Sequence, residues 1–276
     1  MNETRVGNPM DAFPAGDTPS IGRHIDQSTR RLPMAAKVLF TAFVAVLVPY
    51  YWREYGATNF LYYCDVALFL AVIGIWTERP IFASMAAVGI AVPQVLWQVD
   101  FLGQIAGLPV TGMTSYMFDD GISLFARGLS FFHFWLPILL LFILARIGYD
   151  RRALKAWTIT AWGLMLVCYF LMPPAGAELD FANQPHNINY VFGMDDAQPQ
   201  TSMPSWAWLT LLMVGLPTFV YLPTHWVLAK VFCRPDAIAS PVEGSPANTV
   251  HVSRPSPQQP AGSQRRCPRI RKGCPP

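Results

Sequence analysis

Charge is scarce in this sequence. Lys, Arg, Asp and Glu make up 13% of its 276 residues, about half the roughly 25% usual in a soluble domain. With 53% hydrophobic residues and a mean hydropathy of +0.30, that shortfall excludes an ordinary water-facing surface for most of the chain. Cysteine is sparse as well: Cys64 and Cys168 fall within apolar runs, and Cys233, Cys267 and Cys274 come after the last one. Their spacing makes neither a disulfide framework nor a zinc site, and no metal or other cofactor is expected. A nucleotide loop of the GxxxxGK type is missing. The five basic residues of the closing stretch SQRRCPRIRKGCPP come with no nucleic-acid recognition module. Neither nucleotide nor nucleic acid is therefore expected as a partner. No internal repeat is present.

What the chain does have is long apolar runs. A helix needs about 20 apolar residues to cross a hydrocarbon core of about 30 Å. Six runs approach that length: 33–51, 60–76, 80–99, 128–148, 153–172 and 205–232. The expected fold is an all-α, polytopic transmembrane helix bundle with residues 33–232 as its body. The second run is the shortest and opens on the polar cluster NFLYYCD. Residues 1–32 and 233–276 are polar and rich in Gly, Pro or Ser, a composition that builds no core. They read as disordered cytosolic extensions, the second of them basic. The leading segment does not read as a cleaved signal peptide, because YYWREYG after the first run offers no small-residue cleavage site.

Lys and Arg near span ends mark the cytosolic side. Arg23, Arg30 and Arg31 precede the first run, and Arg146, Arg151, Arg152 and Lys155 join the fourth to the fifth. Lys230 and Arg234 close the sixth. The connection 172–206 has no Lys or Arg but carries Glu178, Asp180, Asp195 and Asp196. Six spans with both termini in the cytosol satisfy every loop, and the expected location is the cell membrane.

That topology gathers polar residues at the outer ends of several spans. Cys64 and Asp65 open the second span, and Gln94 and Gln98 share one face of the third, beyond Pro93. His133 sits in the greasy run SFFHFWLPILLLFILAR, and Asn187, Asn189 and Tyr190 lie in the last outer loop, QPHNINYVFGMDD. An ionisable group within a span costs about 2.5–3.5 kcal/mol at its centre and usually faces a partner inside the bundle. The expectation is a polar pocket under the outer leaflet. There His133 is the base for a Cys64 thiol, Asp65 fixes the imidazole or pairs with Arg127, and Asn187 or Asn189 donates to an oxyanion. The plainer expectation makes Cys64 a packing residue, His133 a structural hydrogen-bonder, the glutamines helix ties and the asparagines turn formers.

The series YYCD, SFFHFWLP and NINYVFG resembles a family of bacterial conserved integral membrane proteins with a vertebrate relative, a cysteine-dependent phospholipid acyltransferase. The resemblance covers roughly residues 60–193. It implies Cys64 as acyl-carrying nucleophile, His133 as its base and Asn189–Tyr190 as the late motif, with membrane lipid as substrate. The alternative is a non-catalytic binding or assembly subunit that holds a lipid or a helix of a membrane-protein partner. A small transporter is a third reading, hinted at only by Pro93, Pro137 and Pro217.

Overall fold

The computed structural model describes residues 32–108, 110–179 and 183–232. The expectations for the leading segment, up to residue 31, and for the closing segment, from residue 233, lie outside these residues. The described chain is helical, without strands. It comprises α1 Met34–Tyr55, α2 Tyr63–Thr77, α3 Pro80–Ile105, α4 Leu124–Ser130, α5 Phe132–Ile147 and α6 Ala153–Leu171. A last rod runs through α7 Ser205–Gly215, a π-helical stretch Leu216–Tyr221 and α8 Leu222–Phe232. Five rods are long and apolar enough to cross a membrane, α4–α5 and α7–α8 each counting as one. The sixth, α2, has 15 residues and is about 22 Å long at 1.5 Å per residue. It is short because Ala57–Leu61 forms a 3₁₀ turn and Tyr62 is extended, where the sequence reads as one continuous run. In the other direction, α3 continues past the expected end at Val99 to Ile105, since no Gly or Pro intervenes before Gly103.

Contacts between chain-distant residues sort the helix ends into two sets. At one end Lys37 meets Glu78 at 2.6 Å, and Trp76 Nε1 donates to Thr41 Oγ1 at 2.8 Å. There too Asp150 N donates to Ser84 Oγ and Tyr149 N to the Phe232 carbonyl. At the opposite end Tyr50 meets Ser123 at 2.8 Å, Tyr51 meets Ser130 at 2.9 Å, and Trp208 Nε1 donates to the Tyr190 carbonyl at 2.9 Å. Successive rods therefore alternate in direction. Gly56 and Gly148 stop α1 and α5 with φ of 80° and 88°, a backbone setting that a Cβ would oppose.

Small residues bring the central helices together. Ala67, Ala71 and Gly74 of α2 and Ala83, Ala86 and Ala87 of α3 are all buried, and a Cβ on Gly74 would lie 3.1 Å from the Ala83 backbone nitrogen. Where lipid tails are as apolar as Leu, such close backbone packing holds helices together. Gly89 lets α6 approach α3 in the same way: an added Cβ would overlap the ring of Trp157, which is fully buried.

Backbone polar groups inside the bundle are also provided for. Proline cannot donate, so it orphans the carbonyl four residues earlier. Pro137 frees that of His133, and Gln98 Nε2 donates to it from α3 at 3.1 Å. Pro217 frees that of Met213, which accepts from Trp162 Nε1 of α6 at 2.7 Å. The π stretch Leu216–Tyr221 contains Pro217 and ends two residues before Pro223, and the two missing donors loosen the ordinary ladder there. Thr41, Thr77, Thr160, Thr210, Thr218 and Thr224 each bond back to a carbonyl one turn earlier, so no hydroxyl of theirs is left bare in apolar surroundings.

Candidate functional site

The end of the bundle with the Tyr51–Ser130 contact carries the residues that the sequence singles out. The loop NINYVFG is built on asparagine. Asn187, at φ 46°, accepts from Phe192 N through Oδ1. Its Nδ2 donates to the Gly193 and Asp195 carbonyls and to Asp196 Oδ1. Asn189, at φ 60°, reaches across to α2. Its Oδ1 accepts from Tyr63 N at 3.0 Å, and its Nδ2 donates to the Leu61 carbonyl at 2.9 Å and faces Cys168 Sγ at 3.5 Å. Asn189 thus caps a helix 126 residues away in sequence, since Tyr63 is the first residue of α2 and its N–H has no intrahelical partner. Tyr190 is held at φ 59°, a strained setting for an aromatic residue. Burial and then Asp196 push its phenol up to about 12.

His133 lies just after the break between α4 and α5 at Phe131. There Phe134 N bonds the Phe131 carbonyl, three residues back, which releases the Ser130 carbonyl from the ladder. The imidazole Nδ1 takes that carbonyl at 2.7 Å. A carbonyl only accepts, so the contact assigns the proton to Nδ1 and leaves Nε2 with a lone pair. One face of the ring stacks on Trp97, with centroids 5.0 Å apart. Trp97 Nε1 in turn donates to the Tyr116 hydroxyl at 3.2 Å.

Cys64 is half-buried, and its Sγ lies 4.0 Å from Asp65 Oδ2. Asp65 is 3% exposed. Its Oδ2 accepts from Asn59 Nδ2 at 3.3 Å, and its Oδ1 has no partner. Gln98 is committed to the His133 and Phe134 carbonyls, whereas Gln94, on the same helix face, is 2% exposed with neither amide atom partnered.

The geometry thus unites Asn189 with the start of α2, and Gln98 and Trp97 with His133. Among the described residues, no hydrogen bond joins His133 to Cys64 or to Asp65. Nor does Arg127 reach Asp65, as the sequence suggested: its guanidinium donates to the Met117 carbonyl and lies 4.0 Å from Asp120. No group of three or more His, Cys, Asp or Glu side chains is placed to hold a metal among these residues.

Sequence reading sets Asp100 in the same polar layer as Gln94 and Gln98 but gives it no role. Fully buried near the C-terminal end of α3, it accepts from the backbone N–H groups of Val110, Thr111, Gly112 and Thr114 and from the Thr114 hydroxyl. One carboxylate thereby shapes the whole turn after α3. The available signal was an acidic residue followed by the Gly- and Thr-rich stretch GLPVTGMT, which leaves several backbone donors without ladder partners. No family model, no curated protein and no solved structure matches this chain.

Proposed function

We propose that the chain is a multi-pass protein of the cell membrane that crosses six times, keeps both termini in the cytosol and holds membrane lipid without catalysing a reaction on it. The alternation of rods supports an even number of crossings. Arg79, Arg146, Arg151 and Arg152 at or next to the Lys37–Glu78 end support a cytosolic assignment for that end. As the shortest rod, α2 is sheltered by its neighbours rather than matched to the bilayer, since Asp65, Ala67, Leu68, Ala71, Gly74 and Ile75 are all buried.

The observation that carries the non-catalytic reading is the commitment of the outer polar side chains. Asn187, Asn189, Gln98 and Asp100 are each bound to backbone groups of this chain, so their hydrogen bonds serve architecture first. Outward, large apolar residues face away from the protein, among them Leu39, Phe170 and Phe219 at 71%, 71% and 79% exposure, a surface suited to acyl chains. Native mass spectrometry of the chain released from nanodiscs of mixed headgroup composition tests this reading. The expected result is selective retention of one headgroup class, equal in wild type and Cys64→Ser. Lipid turnover that stops in Cys64→Ser would contradict it.

One observation favours a second reading, a cysteine-dependent lipid acyltransferase or thioesterase. The Ser130 carbonyl holds His133 in the tautomer with a free Nε2 lone pair, the form that a general base requires. On this reading a lipid-tailed electrophile labels Cys64, and labelling is lost in His133→Ala. Equal labelling in that variant removes the reading.

A further inference from the structure

We propose that one face of α6 binds a single anionic phospholipid of the cytosolic leaflet, an inference that rests on the lipid-holding reading and names the headgroup and its seat. Arg151, Lys155, Ile159, Trp162 and Leu166 follow one another at intervals of three and four residues, so they line one stripe along the helix. Arg151 precedes the helix itself, but Arg152 already has helical φ and ψ of −67° and −14°, which keeps the turn in step. All five side chains are exposed. The α6 end that carries Arg151 belongs to the Lys37–Glu78 end of the bundle, where Asp150 N donates to Ser84. Two cations therefore stand at the cytosolic end of the stripe, and three apolar side chains continue from them toward the bilayer centre. That is the order of parts in a lipid whose headgroup is negative.

Two features set this face apart from an ordinary lipid-facing helix. The first is its uncancelled charge. Asp150, the acid in this turn, is taken by Arg152, with Nε at 3.1 and 3.2 Å from its oxygens and Nη2 at 2.7 Å. Arg151 and Lys155, one helical turn apart, then leave a positive surplus that a phosphate can bridge. The second feature is a notch. Gly163 lies among Ile159, Trp162 and Leu166 on the helix surface, and a Cβ there would meet no neighbouring atom within 4 Å. The indole beside it is fixed, because Trp162 Nε1 donates to the Met213 carbonyl of α7 at 2.7 Å. A gap beside a fixed ring gives an acyl chain a defined seat. Gly163 lies about 12 Å along the helix from Lys155, within the roughly 15 Å that one leaflet's hydrocarbon spans. A chain that descends from a phosphate at Lys155 therefore passes the notch. A neutral lipid has no use for the cations, and a free phosphate does not reach the notch.

The test releases the full chain from nanodiscs of equal phosphatidylglycerol and phosphatidylcholine and reads the retained lipid by native mass spectrometry. Wild type is expected to retain phosphatidylglycerol in preference. Arg151→Gln and Lys155→Gln should each lower that preference about fivefold, and Gly163→Leu should lower retention of phosphatidylglycerol itself. Arg53→Gln, an equal loss of charge at the opposite end of the bundle, should leave the preference unchanged. An unchanged preference in the double variant Arg151→Gln/Lys155→Gln overturns the proposal, as does an equal loss in Arg53→Gln or unchanged retention in Gly163→Leu. If Gly163→Leu does not fold, the Arg151, Lys155 and Arg53 variants decide alone. Lipid retained by wild type with no headgroup preference overturns the proposal and leaves lipid holding intact, whereas no retained lipid at all removes both.

Discussion

Asn189 has an unusual job for a loop residue, because its side chain serves both the first N–H of α2 and the carbonyl of Leu61. Removing an N-cap costs about 0.5–2 kcal/mol, and leaving a buried partner unsatisfied costs a further 1–3 kcal/mol or so. Asn189→Ala is therefore expected to destabilise the protein by about 2 kcal/mol, read as a fall in the denaturation midpoint. Asn189→Gly relieves the positive φ yet loses the cap, so it should recover only a few tenths of a kcal/mol of that loss. A glycine variant as stable as wild type would show that the turn, and not the cap, is what matters. The residue type was legible in the sequence as a turn former, but its target was not. A contact across 126 positions leaves no local trace when Asn also suits the turn itself. His133 is similar: a histidine in a greasy run announces a partner, and the partner turned out to be a carbonyl three residues back, released by a helix break that periodicity does not reveal.

At the scale of elements, prolines and small residues decide how rods meet. Gln98 is useful because Pro137 removes a donor from α5. In a double-mutant cycle, Gln98→Leu should cost about 1 kcal/mol more with Pro137 present than in Pro137→Ala, where a backbone N–H is restored to the His133 carbonyl. Zero coupling would mean that the amide only fills space. Gly89→Ala is expected to destabilise by roughly 1–3 kcal/mol through overpacking on Trp157, measurable as a lower Tm. A neutral effect would mean that α3 and α6 can move apart freely. Most rods could be read from hydrophobic run length alone. The exceptions are α2, shortened by the 3₁₀ turn Ala57–Leu61, and α3, extended to Ile105 with Asp100 buried near its C-terminal end. Both depart where polar residues occupy helix positions, and hydropathy cannot say whether such a residue ends a helix or is satisfied within it.

For the whole molecule, the six rods pass back and forth between two ends of different character. One end gathers basic side chains with Glu78, and the other gathers tyrosines, asparagines and the buried acids Asp65 and Asp100. The membrane orientation proposed from this asymmetry fixes which solution the Cys64, His133 and NINYVFG end faces, and every functional reading depends on it. The short α2 is the decisive rod, because an uncrossed α2 would return the chain to the same side and invert everything after it. The direct measurement places single cysteines at Ala57, Arg79 and Gln198 in a chain whose five native cysteines are replaced by serine, then labels intact cells with a membrane-impermeant maleimide. Labelling of Ala57→Cys and Gln198→Cys in intact cells, with Arg79→Cys labelled only after permeabilisation, is the predicted result. Labelling of Arg79→Cys from the same side as Ala57→Cys would contradict it.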